Sequence, residues 1–347
     1  MESTRLESRQ DKILEFIIRA HVDSGAPVGS KAVCERFHLR ISPATVRNVM
    51  GRLEGMGLIT HPHTSAGRVP TDKGYRYFVN ALMQPENLTD QEREPIDRLR
   101  QVEAESPSAL LHEACRQMAG LTQQVGVVLP PNLLESTLSR IDLIRLNEHR
   151  VMSLLLTSEG LMHHAMLELE DELDAAEISR VARFFNDEFE GLHLDAIEAE
   201  IERSLIGANS ALHHLYQRAQ ALWSLGAFVD TENRLFLDGV SQLLSQREFQ
   251  NAERTKSLLE VLESQDPLFE EMSEAVSSAQ QQTVIGSEHQ HPALRSCGLV
   301  IAPYRVGGRV IGALGVVGPT RMDYGKMNSI VGSMAEAAGE AMERLTP

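Results

Sequence analysis

Three cysteines in 347 residues, Cys34, Cys115 and Cys297, are too few, too widely spaced and odd in number for a disulfide framework. A reducing, cytoplasmic setting is the expectation. Long apolar runs are missing too: nothing approaches the roughly 20 residues that span a bilayer, so no membrane is expected among the partners. The N-terminal stretch MESTRLESRQDK lacks the apolar centre of a signal peptide. A Walker-type phosphate loop, a G-x-G-x-x-G turn after a strand and a G-x-S-x-G elbow are all absent. Histidines pair up at His163-His164 and His213-His214, with His289 and His291 further on. Neighbours on a strand point to opposite faces, and no cysteine or carboxylate joins them at a convincing ligand spacing. Neither a metal site nor a cofactor is expected, and no residue is assigned a catalytic role. The glycine-rich run at 312–318 reads as a strand ending in a turn, and Asp323 as the cap of a closing helix.

What the sequence does hold is charge, unevenly placed. The whole chain carries a formal net charge of −16. Residues 1–83 contain 12 Lys/Arg and eight Asp/Glu, a balance of +4, which leaves −20 for the remainder. A mildly basic head on an acidic body suits a protein that meets phosphate with one end. The length accommodates about two or three domains with sizeable cores.

Within the head, residues 42–74 read SPATVRNVMGRLEGMGLITHPHTSAGRVPTDKG. Ser42 suits a helix N-cap and Pro43 the first helical position. Val46, Val49, Met50 and Leu53 recur at helical spacing as one apolar face. Gly55 and Gly57 end the helix, 58–60 starts a short strand, and 68–70 can pair back across a turn-rich tip at 63–67. Before this stretch, 6–22 reads as a helix with Ile13, Leu14, Ile17 and Ile18 inward, and 31–37 as a second helix capped by Ser30. Two short helices joined by a turn, with a hairpin and a last helix from about Thr71, spell a winged helix-turn-helix. Arg47 and Asn48 suit base edges, guanidinium with guanine and carboxamide with adenine. Ala44 and Thr45 suit a thymine methyl or a phosphate. Ser42, Arg52, Lys73 and Arg76 fall to the DNA backbone, and Ser65, Gly67 and Arg68 to the wing, with Arg68 aimed at the minor groove.

Beyond the head, 84–105 is polar and broken by prolines, and reads as a linker containing part of a helix. A helix from Ser106 and a short apolar strand at 125–129 follow. Strands at 140–146, 151–157 and 161–169 are separated by turn-like residues and read as an antiparallel meander. From about Glu170 the period becomes helical, and 168–202 hold 13 Asp/Glu against two Arg. Helical patterns continue to about 279. Strands return at 283–286, 299–306 and 309–317, the last two flanking Gly307-Gly308, a hairpin signal. A helix with a clean apolar stripe closes the chain. Because a lone final hairpin is marginal in water, one sheet interrupted by a helical segment is favoured over separate domains.

Four stretches carry a resemblance: Val28-Gly29-Ser30-Lys31; Ser42-Pro43-Ala44-Thr45-Val46-Arg47-Asn48; Thr64-Ser65-Ala66-Gly67-Arg68-Val69-Pro70-Thr71 with Gly74-Tyr75-Arg76; and Gly318-Pro319-Thr320-Arg321-Met322-Asp323-Tyr324. In that order they make the chain similar to the HrcA family of bacterial heat-inducible transcription repressors over essentially its full length. Val49 departs from it, standing where the family is expected to favour glutamate. The resemblance implies an α+β multidomain chain: a winged helix-turn-helix domain (1–83), a linker (84–105), and a GAF-like α/β domain in two parts (106–170 and 281–347). Between those parts it implies a mainly helical inserted dimerisation domain (171–280). It implies binding, as a homodimer, to an inverted-repeat operator in double-stranded DNA, called CIRCE, upstream of chaperone operons. It also implies dependence on the GroEL chaperonin, whose capture by unfolded clients under heat lowers the active repressor pool. Two other readings stay open: a regulator whose GAF-like domain senses a small molecule, and an interaction protein that merely retains the helical head.

Overall fold

The computed structural model describes residues 8–36, 42–62, 67–104, 106–131, 136–158, 160, 162–169, 174–207, 210–224, 235–249 and 251–345. In the head, helix α1 (Ser8–Ser24) buries Ile13, Leu14, Ile17 and Ile18, the side marked by helical spacing. After α2 (Ser30–Arg36) comes α3 (Pro43–Gly55), whose N-cap Ser42 accepts from the Thr45 amide at 3.2 Å. Gly57, at φ +73°, turns the chain into β1 (Ile59–Thr60), which pairs antiparallel with β2 (Val69–Pro70). Thr71 caps α4 (Asp72–Tyr77) through the Gly74 amide at 3.1 Å, and the helix continues as a π turn, Phe78–Leu82.

The stretch expected as a linker is instead part of the core. Its helix α5 (Asp90–Gln101) buries Ile96 and Leu99, and opens with the Thr89 amide donating to Glu92 at 2.9 Å. The polarity of 84–105 is that of an amphipathic helix's outer face, not of a solvated tether. Helix α6 (Pro107–Thr122), capped by Ser106, leads to β3 (Val125–Leu129). The next elements are β4 (Leu138–Arg145), β5 (Arg150–Thr157), β6 (Met162–Glu168), α7 (Ala175–Phe189), α8 (Leu194–Gly207) and α9 (Ser210–Ser224). After them run β7 (Phe236–Asp238), α10 (Val240–Leu244), α11 (Ala252–Ser264), α12 (Asp266–Ser278), β8 (Gln282–Ile285), β9 (Cys297–Val306), β10 (Arg309–Pro319) and α13 (Tyr324–Leu345).

Strands β7, β3, β10, β9 and β8 lie in that order in one antiparallel sheet. Its central hairpin turns through Gly307 and Gly308, at φ +56° and +80°, a conformation that glycine adopts without strain. Side chains alternate across the sheet as the two-residue period requires. Val128, Val300, Ala302, Leu314 and Val316 share a core with α6, α13 and the head, while Val127, Leu299, Ile301, Ala313 and Val317 face α11 and α12. Asp323 caps α13 as expected, accepting from the Lys326 amide at 3.2 Å.

The meander forms, but in a sheet of its own. β4, β5 and β6 pair only with one another. Their inner residues Leu138, Ile141, Val151, Leu155 and Leu167 pack on Phe184, Phe185 and Phe189 of α7 and on α8 and α9. Asn186 of α7 fastens the edge strand, bonding the Ile141 amide at 2.8 Å and its carbonyl at 2.9 Å. Grouping 106–170 as one unit and 171–280 as the next therefore differs from the hydrogen bonding. The strands at 138–168 belong with α7–α9, whereas 236–278 returns to the five-stranded sheet. The physical mark is burial: β3 is buried at every position, whereas β4–β6 alternate and so cover a core on one face only. Replacing fully buried Phe185 by Ala is expected to cost the 138–224 unit about 3–5 kcal/mol. Hydrogen exchange should then speed up in β4–β6 and leave β9 and β10 protected; equal loss in both sheets would contradict two separate cores.

Candidate nucleic-acid interface

Helix α3 divides cleanly by face. Val46, Val49, Met50 and Leu53 are buried against the head, while Ala44, Arg47, Asn48, Gly51 and Arg52 are exposed, with Thr45 half-buried beside them. Spacings of three and four residues gather the exposed set into one stripe. Among the described residues, the side chains of Arg47, Asn48 and Arg52 are engaged in no hydrogen bond or ion pair. Their donors are thus available to a partner at no cost in broken contacts. Ser42 is exposed at the start of the stripe, with its hydroxyl 3.0 Å from that of Thr45. Its cap holds the first turn in place whatever else it touches.

The wing is built differently from the expectation. Arg68 exchanges backbone hydrogen bonds with Val28, at 2.8 and 2.9 Å, so the hairpin is stitched to the α1–α2 connection. Gly67 permits this approach: a Cβ there would lie 2.5 Å from the Val28 carbonyl. The Arg68 guanidinium is folded back on Glu54 of α3, its Nε donating at 3.1 Å, and the side chain is only 19 % exposed. His61 meets the other oxygen of Glu54 at 2.5 Å. Desolvation pushes the Glu54 carboxyl up, but the bonds from His61 and Arg68 outweigh it and hold it below the usual carboxylate range. Ser65 lies outside the described residues.

Two further cations assigned to phosphate are already committed within the chain. Lys73 donates to the Met56 carbonyl at 2.9 Å, closing the C-terminal end of α3, where a cation is favoured. Arg76 bonds both oxygens of Glu288, one of them at 2.7 Å from Nε, and also the Thr283 carbonyl. It holds the head to the body and leaves the candidate interface. Around it, Asp72 accepts from the Ser287 amide at 2.8 Å, and Arg321 pairs with Glu248 while donating to the Val22 carbonyl at 3.1 Å.

The matches to known families follow the same division. Residues 5–83 match the model "Winged helix-turn-helix transcription repressor, HrcA DNA-binding", and residues 108–327 match "HrcA protein C terminal domain". The chain is 33 % identical over 342 residues to a heat-inducible transcription repressor HrcA of Pelotomaculum thermopropionicum, covering 98 % of each chain. It is 32 % identical to the corresponding repressor of Geobacter sulfurreducens, covering 98 % of this chain and 99 % of that one. The chain belongs to the HrcA family of transcription repressors. A crystal structure described only as that of a hypothetical protein shares the fold, with TM-score 0.67 and 24 % identity over 98 % of this chain and 100 % of the other.

The HrcA winged-helix match thus contains the whole exposed stripe of α3 and the described part of the wing. Val49, where the family was expected to favour glutamate, is 9 % exposed and on the inner face, so the stripe does not include it. Sequence reasoning missed Glu54 and His61. The available signal was a carboxylate seven residues after Arg47, two turns along the same edge of the helix. Asp72, Glu248 and Glu288, which clasp the head, left no local signal, because their partners are distant in the chain. No described helix is long and apolar enough to cross a membrane.

Burial raises the Glu248 carboxyl, but the Arg321 hydrogen bond and charge outweigh it, so the folded-state pKa is below the ordinary value. The ionised form is therefore favoured by folding. Its contribution is complete above the unfolded-state pKa and is lost as pH falls through the lowered one. In urea unfolding, Glu248→Gln should cost about 1 kcal/mol near neutrality and progressively less on acidification. A difference that stays constant down to about pH 3 would contradict the pairing.

Proposed function

We propose that the chain represses chaperone operons by binding the CIRCE inverted repeat as a homodimer, with GroEL governing how much of it is competent. The observation that carries the DNA reading is the stripe on α3. Arg47 and Asn48 stand uncommitted at the centre of a basic head, in the geometry that reads the major groove. Ala44 and Thr45 flank them, Arg52 and Ser42 fall to phosphate, and the hairpin serves as the wing.

The dimer reading is supported by the outer face of β4–β6. There Met152 lies between Ile144 and Met166, and Leu156 between Arg140 and Met162. Met162 is 71 % and Met166 55 % exposed, on a face that an antiparallel sheet in water fills with polar residues. A second copy covers it best, since an isologous contact gives two heads the two-fold relation of a palindrome. The chaperonin and heat response rest on membership of the family. Their physical core is that about 1.4 kcal/mol in folding shifts the competent fraction tenfold once it is marginal. The five-stranded sheet with its helices is the GAF-like domain of this reading. Small-molecule sensing finds less support: on the α12 side a Cβ at Gly315 would already lie 3.3 Å from the Met272 sulfur, so the sheet is packed there.

Titration of a CIRCE duplex tests the reading. Arg47→Ala is expected to lose about 1–3 kcal/mol of base discrimination. Arg52→Ala should weaken all duplexes alike and make the salt slope shallower by about 0.9. Unchanged base preference in Arg47→Ala would remove the readout assignment. In the same titration, chaperonin is expected to raise the competent fraction of refolded protein, and no gain at any temperature would remove that arm. Met166→Glu should shift the sedimentation profile from dimer to monomer and lower operator affinity; an intact dimer would place the interface elsewhere.

A further inference from the structure

The stem of the wing is too short to aim it. β1 and β2 hold two residues each, and an isolated ladder of that length is not stable by itself. Something else must fix the hairpin relative to α3, and one side chain reaches both of its strands from that helix. Glu54 sits in the last turn of α3. Its Oε1 lies 2.5 Å from Nδ1 of His61, one residue beyond β1. Its Oε2 accepts from Nε of Arg68 at 3.1 Å and lies 2.9 Å from Nη2, one residue before β2. The backbone of Arg68 is meanwhile bound to Val28. Arg68 therefore ties the returning strand to two parts of the head at once, and the carboxylate holds the outgoing strand beside it.

The placement of this carboxylate is otherwise unexplained. It lies on the Arg47 edge of the exposed stripe, where a bare negative charge would repel phosphate and lower affinity. Arg68 and His61 supply the positive and hydrogen-bonding partners that offset it. An ordinary exposed ion pair adds little to stability, so stability is a weak reason for the arrangement. Geometry is a better one, because Arg68 and His61 engage different oxygens of the one carboxylate, which constrains direction as well as distance.

We propose that Glu54 is a positioning residue for operator recognition: it locks the wing to the recognition helix, so that both meet DNA at one fixed spacing. Arg68 acts as the strut of this lock and not as a minor-groove probe. The proposal rests on the operator reading above. Its test separates the two.

The full-length protein is titrated, over a series of salt concentrations, with a CIRCE duplex and with a shuffled duplex of the same length and composition. Wild type must prefer the CIRCE duplex; absence of that preference sinks the operator reading and this proposal with it. Given the preference, Glu54→Gln is expected to lower the ratio of the two affinities about tenfold, the scale of coupling within one bonded network. Its affinity for the shuffled duplex should hold or rise, because a negative charge has gone. Both affinities come from one preparation, so any loss of folded protein cancels from the ratio. Arg68→Gln is expected to lower the ratio to the same extent, to leave the salt slope at its wild-type value, and to add nothing when combined with Glu54→Gln. An unchanged ratio in Glu54→Gln overturns the proposal. So does a salt slope shallower by about 0.9 in Arg68→Gln, the mark of a lost phosphate contact. Either result leaves the operator reading standing.

Discussion

The ring of Tyr75, in the head, meets the ring of Tyr324, at the start of α13, edge to face with centroids 5.7 Å apart. Through this contact the apolar interior of the winged helix becomes continuous with that of the body, as one cluster running from Ile13 to Met342. Burial drives both phenols far above their ordinary ionisation range, so both stay neutral. Tyr324 keeps its hydroxyl satisfied by donating to the Thr320 carbonyl at 2.8 Å. Polar contacts ring this apolar joint: Arg76 with Glu288, Asp72 with the Ser287 amide, Arg321 with Glu248 and Val22. The head is seated on the body, not tethered to it, and α5 packs on α13 and α6 of that body.

That seating explains why the cations of the head divide as they do. A guanidinium within reach of a carboxylate in a partly desolvated joint gains more there than at an exposed surface. Arg76 is drawn into the joint, where Arg321 of the body reaches back to the head, Arg68 into the wing, and Lys73 onto a helix end. Arg47 and Arg52 project from the exposed face of α3. The separation of structural from available charge is what turns a balance of only +4 into a directed surface.

The second sheet imposes a different constraint. It carries a complete core on its inner face, through Phe184, Phe185 and Phe189, yet its outer face exposes Ile144, Leu156, Met162 and Met166 as well. Asp142 and His164 flank Leu154 in the middle row of that face, between the two rows that carry the exposed methionines, and Arg150 pairs with Glu168 at one end. The body is thereby built of one sheet that is satisfied on both sides and one that is satisfied on one. The exposed face of β4–β6 and the stripe on α3 fall on units with separate cores, so either can be perturbed without unfolding the other.

Local pattern alone determined the winged helix, because each of its signals acts over a few residues. Ser42 and Pro43 start α3, Gly57 ends its turn, and the spacing of Val46, Val49, Met50 and Leu53 selects the buried face and hence the exposed one. The Gly307-Gly308 hairpin and the Asp323 cap were legible for the same reason. Which strands share a sheet was decided only by the tertiary structure. Pairing β3 with β10 joins residues nearly 190 positions apart, and no local preference encodes such a choice. The same holds for the cations. Arginine carries one chemistry wherever it stands, and only the folded chain, by bringing Glu288 to Arg76 and Glu54 to Arg68, decided which of them are committed within it.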